Sequence, residues 1–250
     1  MPQNGFHGLV GLATAKGTAR RVPNVGAAAF VFGTVLGSML PDIDMYPTAI
    51  AVLLHRGDLT YVIHRSATHC LLAVLLLLVL GALLRGKSTK VAYGLIGLGL
   101  GMLTHEVLDI FFWFAPIDLF WPFSHLPDGQ ALPIVNVWSG VPKIPPLALN
   151  IREAFEFCAF ALFLTVVGNI AASQGADVRA LRKWQTFIWI MFGVALVTAF
   201  LFRTNDRLQN YVVTTPYLLL FLPYCWKQVW NFRREITAWA LGDVRATGIA

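Results

Sequence analysis

The chain has 250 residues, of which 57% are hydrophobic and only 13% are charged, and its mean hydropathy is +0.65. Soluble globular proteins contain about 45–50% apolar and about 25% charged residues, so this composition excludes an ordinary soluble domain and intrinsic disorder. Its net charge of +6 is not arranged as a basic stripe or a nucleic-acid-reading motif. We therefore predict an all-α integral membrane protein that binds no nucleic acid.

Apolar runs predict about six transmembrane helices, since a spanning helix needs about 20 apolar residues. A shorter apolar piece, residues 5–15, precedes them and covers only about half of the hydrocarbon thickness, so we expect a re-entrant or interfacial helix there. We treat residues 1–250 as a single polytopic membrane domain, in which 1–125 carries the unusual polar motifs and 126–250 supplies an extracytoplasmic loop and packing helices. The six longer runs lie at 27–40, 67–84, 91–115, 154–172, 184–202 and 211–226.

Basic residues predict the orientation of these helices, because cytoplasmic loops accumulate Lys and Arg. Most of the 19 basic residues lie before the first run, between the second and third, between the fourth and fifth, or after the sixth. Both termini are therefore predicted to be cytoplasmic. The connection 116–150 holds seven of the 13 prolines, which argues against helix through most of it and indicates an extracytoplasmic loop.

A Pro-Asp-Ile-Asp segment, residues 41–44, ends the first apolar run. Pro41 interrupts the helix, and two carboxylates separated by one residue in an irregular segment can converge on one cation. Asp42 and Asp44 are therefore candidate metal ligands. The alternative is a solvated acidic pair at the membrane edge.

His64 and His69 stand just before the second run, in the segment His-Arg-Ser-Ala-Thr-His. Two imidazoles five residues apart do not share a helix face, so they cooperate only across a turn or a helix start, which Ser66 or Thr68 would cap. The alternative is a pair of ordinary interfacial histidines. Arg65 is a candidate for holding a phosphate or a developing oxyanion, or else a cation whose stem lies along the apolar layer.

His105 and Asp109 lie in the outer part of the third run. At positions i and i+4 of a helix, they present a nitrogen and an oxygen ligand to the same neighbour. Ionisable residues inside a membrane span are costly and usually mark a functional pathway. A His–Asp pair that only bridges two helices is the alternative.

The predicted orientation brings these three clusters to the same extracytoplasmic depth, and His7 joins them only if the 5–15 piece is re-entrant. Mixed imidazole and carboxylate ligands favour zinc, with manganese or iron as alternatives. The pool exceeds the three protein ligands of a catalytic zinc, so we expect two ions, or one ion with supporting residues. The candidate ligands are His7, Asp42, Asp44, His64, His69, His105 and Asp109.

Five motifs occur in the order that a known family shows, and they resemble the YdjM-type family of bacterial inner-membrane metal-dependent hydrolases. The resemblance covers residues 5–125, and the usual threonine before the first histidine is replaced by Phe6. It implies a bacterial inner-membrane protein that uses a divalent metal for hydrolysis. The motifs are His7-Gly8, Pro41-Asp42-x-Asp44, His64-Arg65-x-x-Thr68-His69, His105-x-x-x-Asp109 and Trp121-Pro122-Phe123.

The sequence thus predicts a membrane-embedded metal-dependent hydrolase. Water activated by the metal is the expected nucleophile, Asp44 or Glu106 the expected base, and Arg65 an expected stabiliser of negative charge. Because the site lies near the outer interface, the expected substrate is an amphiphilic, lipid-linked ester, amide or phosphodiester. A metal-ion or proton transporter and a scaffold with a structural metal site are the alternatives, since intramembrane His and Asp also line ion pathways.

Overall fold

The structure is a computed structural model of the chain, and it describes residues 4–56, 59, 63–64, 66–112, 117–123, 145–204, 213 and 215–243. Short 3-10 turns occupy Ala19–Arg21, Pro41–Asp44 and Ala67–His69, and a π-helical segment, Tyr217–Phe221, leads into α8. The α-helices are α1 (Asn4–Thr18), α2 (Asn24–Gly37), α3 (Met45–Leu53), α4 (Leu71–Leu84), α5 (Thr89–Phe112), α6 (Pro146–Ser173), α7 (Arg179–Leu201), α8 (Leu222–Asn231) and α9 (Arg233–Leu241).

Three of these helices are long and apolar enough to cross a membrane, namely α5, α6 and α7. A fourth candidate is α2 taken together with the following Pro41–Ala51 segment, which is bent by 49° at the break between them. The α4 helix is apolar but has only 14 residues, which is shorter than a bilayer requires. The described residues therefore confirm an all-helical membrane architecture, whereas six transmembrane helices are not confirmed.

The predicted short N-terminal helix is present as α1. Its 15 residues extend over about 22 Å, less than the roughly 30 Å hydrocarbon core of a bilayer. Asn4, His7, Gly11 and Ala15 are buried along one face, at the three- and four-residue spacing of a helix stripe. This helix packs against protein along that face, and its re-entrant or interfacial placement stays a prediction.

The chain forms two compact units, which are described separately: Met1–Leu9 with Pro142–Ala250, and Val10–Val141. The treatment of 1–250 as one polytopic membrane domain stays a prediction. The second of these units carries the three polar clusters, and its core is the crossing of α2 with α5.

Small residues allow α2 and α5 to approach closely. Glycines recur four residues apart on each helix, at Gly33 and Gly37 of α2 and at Gly97 and Gly101 of α5. A Cβ atom on any of the four would overlap a backbone carbonyl of the other helix. This small-xxx-small pattern lets two membrane helices meet at backbone distance. The crossing brings the end of α2, and the turn after it, against the C-terminal half of α5.

The α4 helix pairs with α5 through a short connection, so that the start of α4 lies beside the C-terminal half of α5. Gly81 and Gly99 sit against side chains of the opposite helix. The outer face of α4 exposes Leu75, Val79 and Leu83 without an intervening charge, which suits contact with lipid chains. His69, which lies two residues before the start of α4, is thus placed next to the C-terminal part of α5.

Aromatic rings fill the core of the other unit. Phe157 and Phe160 of α6 pack on Tyr217 and Phe221, with ring centroids 5.1 to 6.3 Å apart, and all four side chains are fully buried. The same unit also buries several polar groups. One of them is the carboxyl of Glu156, which is 1% exposed and accepts a hydrogen bond of 2.9 Å from the backbone amide of Asn4.

Loss of the Glu156 carboxyl is expected to destabilise this unit. Glu156→Ala leaves the buried Asn4 amide without that acceptor, and an unsatisfied buried donor costs about 1–3 kcal/mol. Glu156→Gln keeps an acceptor oxygen and is expected to lose less. Thermal or chemical unfolding in detergent measures the two free energies of unfolding. Equal losses for the two variants would contradict this role.

Candidate metal centre

The Pro41–Asp44 turn buries both of its carboxylates. Asp42 is 0% exposed and Asp44 is 4% exposed. A 3-10 helix has three residues per turn, so residues two apart point about 120° away from each other. The two carboxylates therefore cannot face one point directly. They instead approach one imidazole, that of His69, from two sides.

His69 lies between these carboxylates and is fully buried. Oδ1 of Asp42 is 3.7 Å from its Nε2 atom, and Oδ2 of Asp44 is 3.2 Å from its Nδ1 atom. The two acidic residues that the sequence predicted to converge thus converge on opposite nitrogens of a single ring. This arrangement gives them different tasks at the site.

The α5 helix presents His105 and Asp109 on one face, as their i, i+4 spacing predicts. Both are buried, and Oδ2 of Asp109 lies 3.7 Å from Nε2 of His105. The same carboxylate oxygen is 3.7 Å from Nε2 of His69. Nε2 of His105 is 3.2 Å from Nε2 of His69 and 3.7 Å from Oδ1 of Asp42.

Four donor atoms from three segments lie close together, with each of the two oxygens near both nitrogens: Nε2 of His69, Nε2 of His105, Oδ1 of Asp42 and Oδ2 of Asp109. Their five known separations are 3.2 Å between the nitrogens and 3.7 Å for each nitrogen–oxygen pair. A tetrahedral zinc with bonds of about 2.0–2.2 Å places its ligand atoms about 3.3–3.6 Å apart. The residues present fit a small divalent cation, and His69, His105 and Asp109 form a buried group that can hold one.

The hydrogen-bond partners assign the tautomers of both imidazoles. Nδ1 of His105 lies 2.9 Å from the carbonyl oxygen of Ser38, which only accepts, so Nδ1 donates. Nδ1 of His69 likewise faces the carboxylate of Asp44. A neutral imidazole that is protonated on Nδ1 carries its lone pair on Nε2. Two such lone pairs 3.2 Å apart require a proton or a cation between them.

The carboxylate of Asp42 adds to this requirement. Neither of its oxygens has a hydrogen-bond partner among the residues that the structure describes, although both are buried. A buried carboxylate without hydrogen bonds is costly unless a positive charge lies beside it. Asp42 is therefore suited to direct contact with a cation.

His64 and Asp44 form the outer part of the cluster. Nδ1 of His64 is 2.7 Å from Oδ1 of Asp44, and the His64 side chain is 17% exposed. Asp44, His64 and His69 also lie close enough together to hold an ion. However, that group approaches the protonated Nδ1 of His69, whose neutral ring offers a single lone pair. The prediction that His64 and Asp44 are ligands stays open.

The remaining predicted site residues lie in three different situations. Glu106 is on α5 and is 1% exposed, and neither of its carboxyl oxygens has a hydrogen-bond partner among the described residues. His7 is buried on α1, in the part of the chain assigned to the other unit, so its inclusion among the ligands stays a prediction. Arg65 lies outside the described residues, and its predicted role is untested.

Two contacts at the site were not predicted from the sequence. The carbonyl of Ser38 orients His105, and the hydroxyl of Thr68 donates to Oδ2 of Asp44 over 2.7 Å. The expectation that Ser66 or Thr68 caps the following helix or turn is met in position alone: Ser66 stands at the N-cap of the Ala67–His69 turn, but its side chain makes no capping hydrogen bond. The residue before α4 is Cys70, whose side chain makes no capping hydrogen bond. The Thr68 hydroxyl donates to Asp44 and therefore does not cap α4.

A family model described as YdjM inner membrane protein matches residues 1–207. The chain belongs to the YdjM family of inner membrane proteins. The matched range contains all the described donor residues of the candidate centre. It also extends well beyond residues 5–125, which carry the five motifs. No curated protein and no solved structure matches the chain. Family membership and the buried His/Asp groups therefore establish an inner-membrane protein with residues that can hold a metal ion.

Proposed function

We propose that this YdjM-family protein is a membrane-embedded, metal-dependent hydrolase. The observation that carries the proposal is the set of four donor atoms, whose nitrogen–nitrogen and nitrogen–oxygen separations suit a tetrahedral cation. Two of those donors are imidazole nitrogens whose tautomers are set by hydrogen bonds on the opposite side of each ring. Such supporting hydrogen bonds are typical of metal-binding histidines.

We assign one ion to the ligands Asp42, His69, His105 and Asp109. Two imidazoles and two carboxylates favour zinc, with manganese or iron as alternatives. The second acidic residue of the Pro41–Asp44 turn, Asp44, then holds the Nδ1 proton of His69, and His64 holds Asp44 in turn. This division explains why more candidate ligands are present than one catalytic ion needs.

The chemistry follows from what the neighbouring residues can do. When bound, a divalent cation supplies Lewis-acid chemistry and a water of lowered pKa. Glu106 is the proposed base, because its buried carboxyl lies next to His105 in the sequence and makes no hydrogen bond within the described part of the chain. It accepts a proton from water and returns it to the leaving group. Arg65 remains the proposed stabiliser of negative charge on the substrate.

The proposed substrate is amphiphilic and lipid-linked, with an ester, amide or phosphodiester bond. Two features support this assignment. The site lies at the start of α4, a helix whose exposed side chains are almost entirely leucine and valine. His64, at the outer edge of the cluster, is partly exposed whereas the four donor residues are not. A substrate would therefore approach past His64, from a surface that borders on lipid.

The same proposal includes a multi-pass arrangement with both termini in the cytoplasm. Its support is the distribution of Lys and Arg along the chain. In this orientation the end of α2, the start of α4 and the outer half of α5 all lie toward the extracytoplasmic side. The hydrolysed bond would then lie near the outer headgroup layer.

A lipid-release assay tests the activity. Wild-type protein in nanodiscs of bacterial inner-membrane lipid extract, supplied with zinc, is expected to release a headgroup or an acyl chain. Glu106→Gln is expected to keep the metal and lose turnover by about 10²- to 10⁴-fold, the usual contribution of a general base. Lipids that stay unchanged with every metal, together with metal flux into liposomes, would replace the hydrolase by a transporter.

A further inference from the structure

The Thr68 side chain is neutral and contacts both a carboxylate and an imidazole of the cluster. Its Oγ1 atom lies 2.7 Å from Oδ2 of Asp44 and 3.0 Å from Nδ1 of His69. Those two atoms are themselves 3.2 Å apart. The three atoms thus form a closed triangle at Nδ1 of His69, whereas the proposed ion would bind at Nε2 of the same ring.

The hydrogen atoms of this triangle can be assigned from chemistry alone. An ionised carboxylate only accepts, so the Thr68 hydroxyl donates its single hydrogen to Asp44. With that hydrogen used, the hydroxyl oxygen has only lone pairs to offer to His69. Both neighbours of Nδ1 are then acceptors, and the ring must carry its proton on Nδ1.

Thr68 also fixes the carboxylate that it contacts. Asp44 is bound at Oδ1 by His64 and at Oδ2 by Thr68, so the plane of the carboxylate is held from both ends. The direct approach of Oδ2 to Nδ1 is 3.2 Å, which is longer than a good charge-assisted hydrogen bond, so the hydroxyl strengthens a contact that is weak by itself. Without the hydroxyl, the carboxylate is able to turn toward His64, and the His69 ring loses its fixed tautomer.

We propose that Thr68 is a positioning residue that fixes the metal-binding tautomer of His69, by locking the Asp44 carboxylate against Nδ1 and leaving the Nε2 lone pair for the ion. The inference rests on the proposed function, since it assumes that Nε2 of His69 is a ligand. It adds a residue that touches neither metal nor substrate.

The matched control is Thr104, which stands next to His105 on α5. Its hydroxyl donates to the Gly101 carbonyl of its own helix over 2.7 Å. Thr104→Val therefore removes the same hydroxyl beside a different proposed ligand, without touching the triangle. Thr68→Ser keeps the hydroxyl, and Thr68→Val and Thr68→Ala remove it with and without retention of side-chain volume.

The experiment measures zinc affinity by calorimetry in detergent and, separately, the imidazole tautomers of the metal-free protein by ¹⁵N NMR of labelled histidine. Thr68→Val and Thr68→Ala are expected to weaken zinc binding by about 10- to 100-fold, as loss of a group that supports a ligand does. The Nδ1–H signal of His69 is expected to give way to a mixture of tautomers. Thr68→Ser and Thr104→Val are expected to match wild type in both measurements.

Three results would overturn the inference. The first is a wild-type zinc affinity and His69 tautomer in Thr68→Val or Thr68→Ala. The second is a loss of zinc affinity in Thr104→Val as large as that in Thr68→Val. The third is a Thr68→Ser protein that binds zinc as weakly as Thr68→Val does. His69→Ala separates this failure from that of the proposed function. If His69→Ala loses zinc while the Thr68 variants do not, only the role of Thr68 is wrong. If His69→Ala binds zinc as wild type does, the metal centre itself is wrong.

Discussion

Purified His105→Ala protein is expected to carry no stoichiometric zinc. The substitution removes one of four donor atoms and leaves Asp42 and Asp109 as buried carboxylates with less positive charge to balance them. Loss of a group that merely supports a ligand costs about 10- to 100-fold in affinity, so loss of the ligand itself is expected to exceed about 100-fold. Elemental analysis of the purified protein gives the stoichiometry, and calorimetry gives the Kd.

His55→Ala is the matched control for this loss, because His55 is exposed and lies outside the cluster. It is expected to keep the wild-type metal content. A stability measurement adds a second test: a ligand at 100 times its Kd stabilises the folded state by about 2.7 kcal/mol. Chelation is therefore expected to lower the melting temperature of wild type and of His55→Ala, but not that of His105→Ala. Retention of zinc in His105→Ala would rule out the proposed ligand set.

The members of this site were predictable because each carries a local signal. The i, i+4 spacing of His105 and Asp109 places both on one helix face, and that arrangement is present. The two-residue spacing of Asp42 and Asp44 predicted convergence, but not convergence on opposite nitrogens of one ring. That detail depends on the 3-10 geometry of the turn and on the position of His69, which is 25 residues after Asp44. Neither can be predicted from the spacing of the two acidic residues.

The partners of the imidazoles were hidden for a related reason. The carbonyl of Ser38 belongs to the backbone, so no residue type in the sequence identifies it as a partner of His105. The hydroxyl of Thr68 has several possible local partners, and helix capping was the reasonable expectation. The choice of Asp44 instead depends on a contact between residues 24 positions apart. Long-range contacts of this kind are set by the packing of α2, α4 and α5, which the hydrophobic pattern predicts only as helices.

The number of membrane spans was less accessible than the helices themselves. Each predicted run corresponds wholly or partly to a helix in the described residues, yet α4 has 14 residues and α2 ends at a bend. Hydropathy detects apolar composition and does not distinguish a helix surrounded by lipid from one that is partly buried in protein. Pro41 explains the bend, because it removes a backbone donor after α2 and allows the turn that carries Asp42 and Asp44.

The crossing of α2 with α5 links this fold to the site, and Gly101 lies at the end of the crossing that is nearest Ser38. A Cβ atom there would overlap the carbonyl oxygen of Thr34 and approach the amide nitrogen of Ser38. Both are backbone atoms, so no side chain can rotate away, and the two helices have to separate. Because Ser38 supplies the carbonyl that orients His105, the separation also disturbs the metal centre.

Gly101→Ala is therefore expected to destabilise the protein by at least the roughly 1–3 kcal/mol of an overpacked core, and to weaken zinc binding as well. Gly193→Ala is the matched control: this glycine also lies inside a helix, α7, but a Cβ there meets no atom within 4 Å. Since alanine favours helix over glycine by about 0.5–1 kcal/mol, the control is expected to be neutral or slightly stabilising. Unfolding in detergent and zinc calorimetry measure both effects. A Gly101→Ala protein as stable as Gly193→Ala would mean that α2 and α5 are further apart than in the structure. The contact between the Ser38 carbonyl and His105 would then also be wrong.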